Sequence, residues 1–270
     1  MSDDCFGREA QAAAVDTWYD LTGDFAGGTL TDYQVPAGIT RIYRIVPSLG
    51  IGPAASSGSA IVRITGTGVK SQQDIVISQN MNLGTSVTAV ANRTQGVMVN
   101  VPVIPGGTIH LQGKLAVSGD SGTPEFGVGL WLDGGQAVDG LYQTREATIA
   151  AENAWTVLNG LGGTTETDPL VPGGHTRIKQ LVITGVGGVT AGVANMAIRL
   201  SGNALIGNQK MIPFGNLIAG AGTVTSCWVC DPSVFDCDIA VQGGNQLRIE
   251  ASVNGADVGS AEVCVTVYTC

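Results

Sequence analysis

Charge is scarce in this chain, and several functions are excluded with it. Only 13% of the 270 residues are Asp, Glu, Lys or Arg, about half the usual share, and the balance is acidic at −9. The 13 basic residues are scattered without a polybasic arm, which argues against direct nucleic-acid binding, since a phosphate backbone needs clustered Lys and Arg. Histidine is rarer still. His110 and His175 are the only two, too few for a multi-histidine metal centre, and His110 is expected to point outward from its strand. Aromatic residues make up 5%, which leaves little for the exposed platforms of a sugar site. No apolar run approaches the roughly 18 residues of a membrane-spanning helix. Met1-Ser2-Asp3-Asp4 opens with acid rather than a basic, then apolar, leader, so no secretory signal is expected. The nucleophile-elbow, zinc-protease and phosphate-loop patterns are missing as well. No catalytic residue, metal or cofactor is expected, and the chain reads as a non-enzyme.

What remains is small and polar. A surface built from Gly, Ser, Thr, Asn and Gln is cheap to desolvate, whereas a protein that stays free in solution normally carries more charge. Extensive subunit contacts are one explanation, and the composition bias of all-β proteins is another. Glycine, 40 of 270 residues, falls between short β-rich runs as turn punctuation.

The chain is also written twice. Val35-Pro36-Ala37-Gly38-Ile39-Thr40-Arg41-Ile42 returns as Val171-Pro172-Gly173-Gly174-His175-Thr176-Arg177-Ile178, at an offset of 136 that carries Arg63 onto Arg199, Gly107 onto Gly243 and Val117 onto Val253. Towards the amino terminus the offset becomes 137, laying Arg8-Glu9-Ala10 on Arg145-Glu146-Ala147 and Trp18 on Trp155. The division that follows is an amino-terminal arm over 1–16, a first module over 17–134, a connector with the repeated arm over 135–153 and a second module over 154–270.

Alternating runs at 74–78, 97–101 and 109–112, and the closing runs 126–132 and 263–268, read as strands. Each module holds roughly eight. Helical signal is confined to Arg8–Val15 and its copy Arg145–Ala151, at most two turns. Strands without intervening helices exclude a parallel α/β sheet. The expected fold is all-β, with two tandem duplicated antiparallel β-sandwiches, each a jelly roll, and an immunoglobulin-like sandwich as the alternative.

Five of the six cysteines fall in the last 44 residues: Cys227, Cys230, Cys237, Cys264 and Cys270. The Cys227-Trp-Val-Cys230 spacing with further cysteines permits disulfides stapling the second module, buried free thiols, or thiolate zinc ligands, and the sequence leaves all three open. Glu125, Glu146, Glu152, Glu166, Glu250 and Glu262 are glycosidase candidates by residue type alone. The repeated Arg8-Glu9 and Arg145-Glu146 suggest a local ion pair or a docking segment. Trp18 and Trp155 are expected to plug the ends of their module cores. The Asn92-Arg93-Thr94 triplet reads as chance, and the acidic loops at 119–120 and 254–257 lack a dense calcium-ligand run.

On the tandem β-modules, the low-charge composition and the repeated Val-Pro-x-Gly-x-Thr-Arg-Ile strand opening, the chain resembles jelly-roll viral structural proteins, most of all the double jelly-roll major capsid proteins. That resemblance implies a homo-oligomer of three chains whose six modules imitate a hexagon and tile an icosahedral shell. It further implies residence in the virion after assembly in the host cytoplasm, with other virion proteins as partners. A spike, fibre or decoration protein, and a secreted carbohydrate-binding sandwich, are the alternative functions.

Overall fold

The computed structural model describes residues 3–11, 16–50, 57–81, 96–118, 125–149, 151–161, 164–186, 192–207, 210–219, 228–230, 232–254 and 261–270. Among these, every regular element is a strand. The first half contributes β1 (Asp3–Gln11), β2 (Tyr19–Asp20), β3 (Tyr33–Gln34), β4 (Arg41–Gly50), β5 (Ser57–Thr65), β6 (Gln73–Met81), β7 (Val97–Pro102), β8 (Thr108–Ser118) and β9 (Glu125–Asp133). The second contributes β10 (Leu141–Ile149), β11 (Thr156–Val157), β12 (Gly160–Leu161), β13 (Thr164–Thr165), β14 (Arg177–Val186), β15 (Gly192–Ser201), β16 (Lys210–Ala219), β17 (Trp228–Cys230), β18 (Ser233–Ala240), β19 (Arg248–Asn254) and β20 (Ala261–Thr269).

Strand order decides the fold class. In the first half the sheets run β1-β9-β4-β7 and β2-β8-β5-β6; in the second they run β10-β20-β14-β18 and β11-β19-β15-β16. Leaving out the short β3, β12, β13 and β17, both halves pair their first, eighth, third and sixth strands in one sheet and their second, seventh, fourth and fifth in the other. All pairings are antiparallel, and this order is the connectivity of a jelly roll, not of an immunoglobulin-like sandwich. Each sandwich has a buried interior, with Ile42, Ile64, Ile75 and Leu130 in the first and Ile178, Ile198, Ile249 and Val265 in the second, and the first cluster continues into Tyr142, Val182, Cys264 and Tyr268 of the second half.

The short helices expected over Arg8–Val15 and Arg145–Ala151 do not form where the chain is described. Arg8 lies in β1, which runs beside β9 from Asp3↔Asp133 to Gln11↔Glu125, and Arg145 lies in β10, paired just as continuously with β20. A long backbone ladder outweighs the helix propensity of Glu and Ala. The arm and the connector thus each supply the first strand of a sheet.

The Val-Pro-x-Gly openings are turns. Gly38 and Gly174 take φ of 85° and 92°, and the N–H of the next residue donates back to Pro36 O at 3.3 Å and to Pro172 O at 3.1 Å. The proline carbonyl closes each turn, and only glycine takes the left-handed corner cheaply.

The two sandwiches stack. β5, β6 and β8 of the first lie against β10, β14 and β20 of the second, so the molecule is four sheets deep, with β1-β9-β4-β7 and β11-β19-β15-β16 outermost. β17 reaches back to pair with β6 (Trp228↔Met81, Cys230↔Gln79).

Candidate functional site at the interface between the sandwiches

Burying β6 poses a problem, because among the described residues its outer edge over Gln73–Ser78 has no strand neighbour and its backbone groups still need partners. Hydroxyls of the facing sheet supply them. Val76 N–H donates to Thr266 Oγ1 at 2.9 Å, Thr266 and Thr144 hydroxyls share a 2.7 Å bond, and Thr144 Oγ1 donates to Asp74 O at 2.7 Å. With Thr144 donating to the carbonyl, the shared proton belongs to Thr266, so each hydroxyl accepts one bond and donates one. Tyr142 N–H donates to Gln73 Oε1 at 2.9 Å, and Ser59 and Thr184 hydroxyls meet at 2.5 Å.

Beside this relay lies a cluster of ionisable groups. Lys114, on β8 of the first sandwich, is 1% exposed; its ammonium donates to Glu146 Oε1 on β10 of the second and lies 3.4 Å from Asp16 Oδ1. Glu262 accepts from Thr148 Oγ1 at 2.9 Å, and the Cys264 thiol sits 3.7 Å from Glu146 Oε2. Burial, reinforced by the Glu146 carboxylate, pushes the Glu262 carboxyl up to about 7. Burial also raises Asp16, and raises the Cys264 thiol well above its ordinary value. A cleft of about 360 Å³, lined by Asp16, Glu146, Thr148, Thr164 and Glu262 among others, opens onto the cluster. Glu146, Glu262 and Cys264 place their ligand atoms within 4.8 Å of one another. The Lys114 ammonium already holds the cation position at Glu146, so the set does not fit a metal ion.

Of the residues singled out by type, Glu146 and Glu262 are thus brought together, although opposite a lysine rather than a second free acid. Glu250 is held by the Arg199 guanidinium at 2.6 and 2.7 Å, and Glu166 accepts from Thr164. The side chain of Glu125 is outside the described set. The expected Arg–Glu ion pairs are replaced by other partners: Arg8 and Arg145 donate to the Thr31 and Thr167 carbonyls, and Glu9 accepts from Phe25 N–H. Trp18 and Trp155 are half-buried beneath the copy-equivalent Arg63 and Arg199, at 3.9 and 4.4 Å. His110 bridges Asp20 and Asp32 at 3.1 and 2.9 Å, which raises its pKa. His175 accepts or donates at Thr269 Oγ1 across 2.9 Å.

Cys237, Cys264 and Cys270 stand as free thiols, as does Cys5, so among these residues the free-thiol alternative holds and no stapling bridge is formed. Geometry gives the reason. Cys264 and Cys270 are six residues apart on one extended segment, about 20 Å, and Cys237 sits two strands over, each beyond the reach of a disulfide or a shared ion. Of Cys230 only the backbone is described. Cys227, the Asn92-Arg93-Thr94 triplet and the acidic loops 119–120 and 255–257 lie outside the described residues.

No family model matches the chain, and no curated protein matches it. Among solved structures it is similar to the major capsid protein P2 from Bacteriophage PM2, at 12% identity and a TM-score of 0.33, over 98% of this chain and 97% of that one.

The buried face of β10-β20-β14 has a copy-equivalent that is exposed. On β1-β9-β4, the strand registers Gly7↔Gly129 and Glu9↔Gly127 repeat Thr144↔Thr266 and Glu146↔Cys264, so the positions matching Thr144, Cys264, Thr266 and Tyr268 are Gly7, Gly127, Gly129 and Trp131. Phe25, 52% exposed and held at φ 63°, spreads its ring over Gly7 and Gly127; a Cβ added there would lie 2.9 and 2.7 Å from it. The Trp131 ring covers Gly129, and the Arg44 guanidinium stands 5.6 Å over Trp131. Met98, 56% exposed, is opposite Arg44 on β7.

Proposed function

We propose that this chain is a non-enzymatic structural subunit of a virion, a major capsid protein of the double jelly-roll type that assembles from copies of itself. One observation carries the reading: the contact between the two sandwiches is head-to-tail. The second-seventh-fourth-fifth sheet of the first sandwich lies on the first-eighth-third-sixth sheet of the second. One sheet of each kind is left outermost, at opposite ends of the stack. Contacts of this heterologous kind repeat until a rotation closes them into a ring. Three chains, hence six sandwiches, make a pseudo-hexagonal capsomer, and such hexagons tile an icosahedral shell. The Phe25, Trp131 and Met98 surface supports the same reading, since it is an apolar group of side chains on the outermost sheet that the repeat would cover.

Size-exclusion chromatography with light scattering tests it. A particle of three times the chain mass, or a larger assembly built from such particles, is expected. A stable monomer at high concentration overturns the capsid reading and favours a spike, fibre or decoration role.

A further inference from the structure

We infer that Lys114 and Glu146 are the two halves of an intramolecular isopeptide cross-link, which joins the first sandwich to the second through an amide between Lys114 Nζ and Glu146 Cδ. The inference is independent of any assembly, since both residues belong to one chain and meet inside it.

Geometry and solvation support the bond. The ammonium and the carboxylate are in direct contact, both almost completely removed from water. Two charges buried this way carry a desolvation penalty that their attraction only partly offsets. An amide replaces them with one neutral group and releases a water to bulk. Fixed contact between the reacting groups removes the entropic cost of bringing them together. Both sit in paired strands: Lys114 is opposite Ile61, and Glu146 is opposite Cys264.

The neighbours supply the proton traffic. Asp16, 3.4 Å from Nζ, takes a proton from the ammonium, leaving the amine lone pair free. Glu262, whose carboxyl oxygen lies within 4.8 Å of that of Glu146, gives its proton to the Glu146 carboxylate. Burial suits it to this role by keeping the carboxyl protonated up to about pH 7. The amine attacks Glu146 Cδ and the carbonyl π pair moves onto oxygen. The nitrogen then returns a proton to Glu262, Asp16 delivers its proton to the departing hydroxyl, and the C–O bond breaks as the carbonyl re-forms. The sum is ammonium plus carboxylate to amide plus one water. No oxidant or cofactor enters, and both acids end as they began. The cleft lined by Asp16, Glu146 and Glu262 gives the water its way out.

Intact-mass spectrometry of the denatured wild-type chain tests the proposal directly. The expected mass is one water below the sequence mass, with a digest yielding a single branched peptide that joins the Lys114 and Glu146 segments. Lys114→Arg keeps the positive charge without a comparable nucleophile and is expected at its full sequence mass. Glu262→Gln, checked for native fold by circular dichroism, is expected to lose the water roughly a hundredfold more slowly or not at all. A folded wild-type chain at full sequence mass overturns the proposal whatever the variants do, and so does a one-water deficit that persists in Lys114→Arg.

Discussion

Replacing Thr266 with valine probes the contact between the sandwiches at one atom. The side chains are close in shape, so packing is largely kept and the hydroxyl alone is lost. Thr266 Oγ1 accepts from Val76 N–H and bonds Thr144 Oγ1. Thr266→Val therefore leaves a buried N–H on the uncovered edge of β6 with no acceptor, at about 1–3 kcal/mol, and removes one hydroxyl–hydroxyl bond, at about 1 kcal/mol. The sum is about 2–4 kcal/mol. At roughly 2–4 °C per kcal/mol for a chain of this order of size, the midpoint of thermal unfolding should fall by about 4–16 °C. Thr144→Val strips the donor from the Asp74 carbonyl, a milder loss, because a carbonyl tolerates under-satisfaction better than an N–H. The double variant should cost less than the two singles combined, since the Thr144–Thr266 bond is counted in both. Calorimetry of the four proteins closes the cycle. A Thr266→Val midpoint within a degree of wild type, or strict additivity, would refute the directed hydroxyl relay and the account of how β6 is buried.

Three further outcomes follow from the same geometry. Glu262 has a folded pKa of about 7 against an ordinary value of 4.5; because the folded state binds the proton more tightly, its stabilisation is complete below about pH 4.5 and is lost as pH rises through 7. This is worth on the order of 3 kcal/mol for the uncross-linked chain, and urea titrations across that window should show a slope that Glu262→Gln abolishes. Gly107→Ala and Gly243→Ala should each cost about 1–3 kcal/mol: the added Cβ would lie 2.5 Å from Thr67 O in the first and 2.4 Å from Pro172 O in the second, and chemical denaturation would detect each loss. Phe25→Asp with Trp131→Arg should leave the circular dichroism spectrum unchanged and reduce the light-scattering mass to that of one chain; an unaltered assembly would mean that the outermost β1-β9-β4-β7 sheet makes no intersubunit contact.

The fold class was largely legible because the information is local. Alternation at Val97–Val101 and Ile109–Gln112 and the repeated turn at Gly38 and Gly174 each mark a strand or its start without reference to anything distant. Arg8–Gln11 misled for the converse reason: Glu and Ala favour helix locally, and only the partner strand, more than a hundred residues away, decides otherwise. The interface cluster was the least legible part. Glu146 and Glu262 stand out by residue type, whereas Lys114 does not, since a lysine in a strand ordinarily faces water. The signal lay in its surroundings. Ile61 and Val76 are apolar at positions opposite in phase to the core-facing Val62 and Ile64, and a strand greasy on both faces is covered on both. The cysteines drew attention through their spacing, yet spacing says nothing about which face or which strand each thiol occupies.

The two copies have diverged in a way that follows from what covers each face. Where the sheet is permanently buried inside the chain, hydroxyls and a thiol occupy the outward positions: Thr144, Cys264 and Thr266. These suit a surface that must satisfy an exposed strand edge once and for all. Where the equivalent sheet is outermost, the same positions are Gly7, Gly127 and Gly129, and two aromatic rings lie flat over the space their missing side chains leave. Hydroxyls on that face would bind water and resist desolvation, whereas rings on a glycine floor leave few polar groups to strip when a partner arrives. Lysine is replaced along with them: Ile61 pairs with Lys114 and its equivalent Ala197 pairs with Ser252, so the position matching Lys114 is a serine. An interchain copy of the contact would therefore rest on apolar area rather than on a buried ion pair or a hydroxyl relay. Ser252 would offer Glu9 no amine to react with, so the proposed covalent joining would be confined to the contact within the chain.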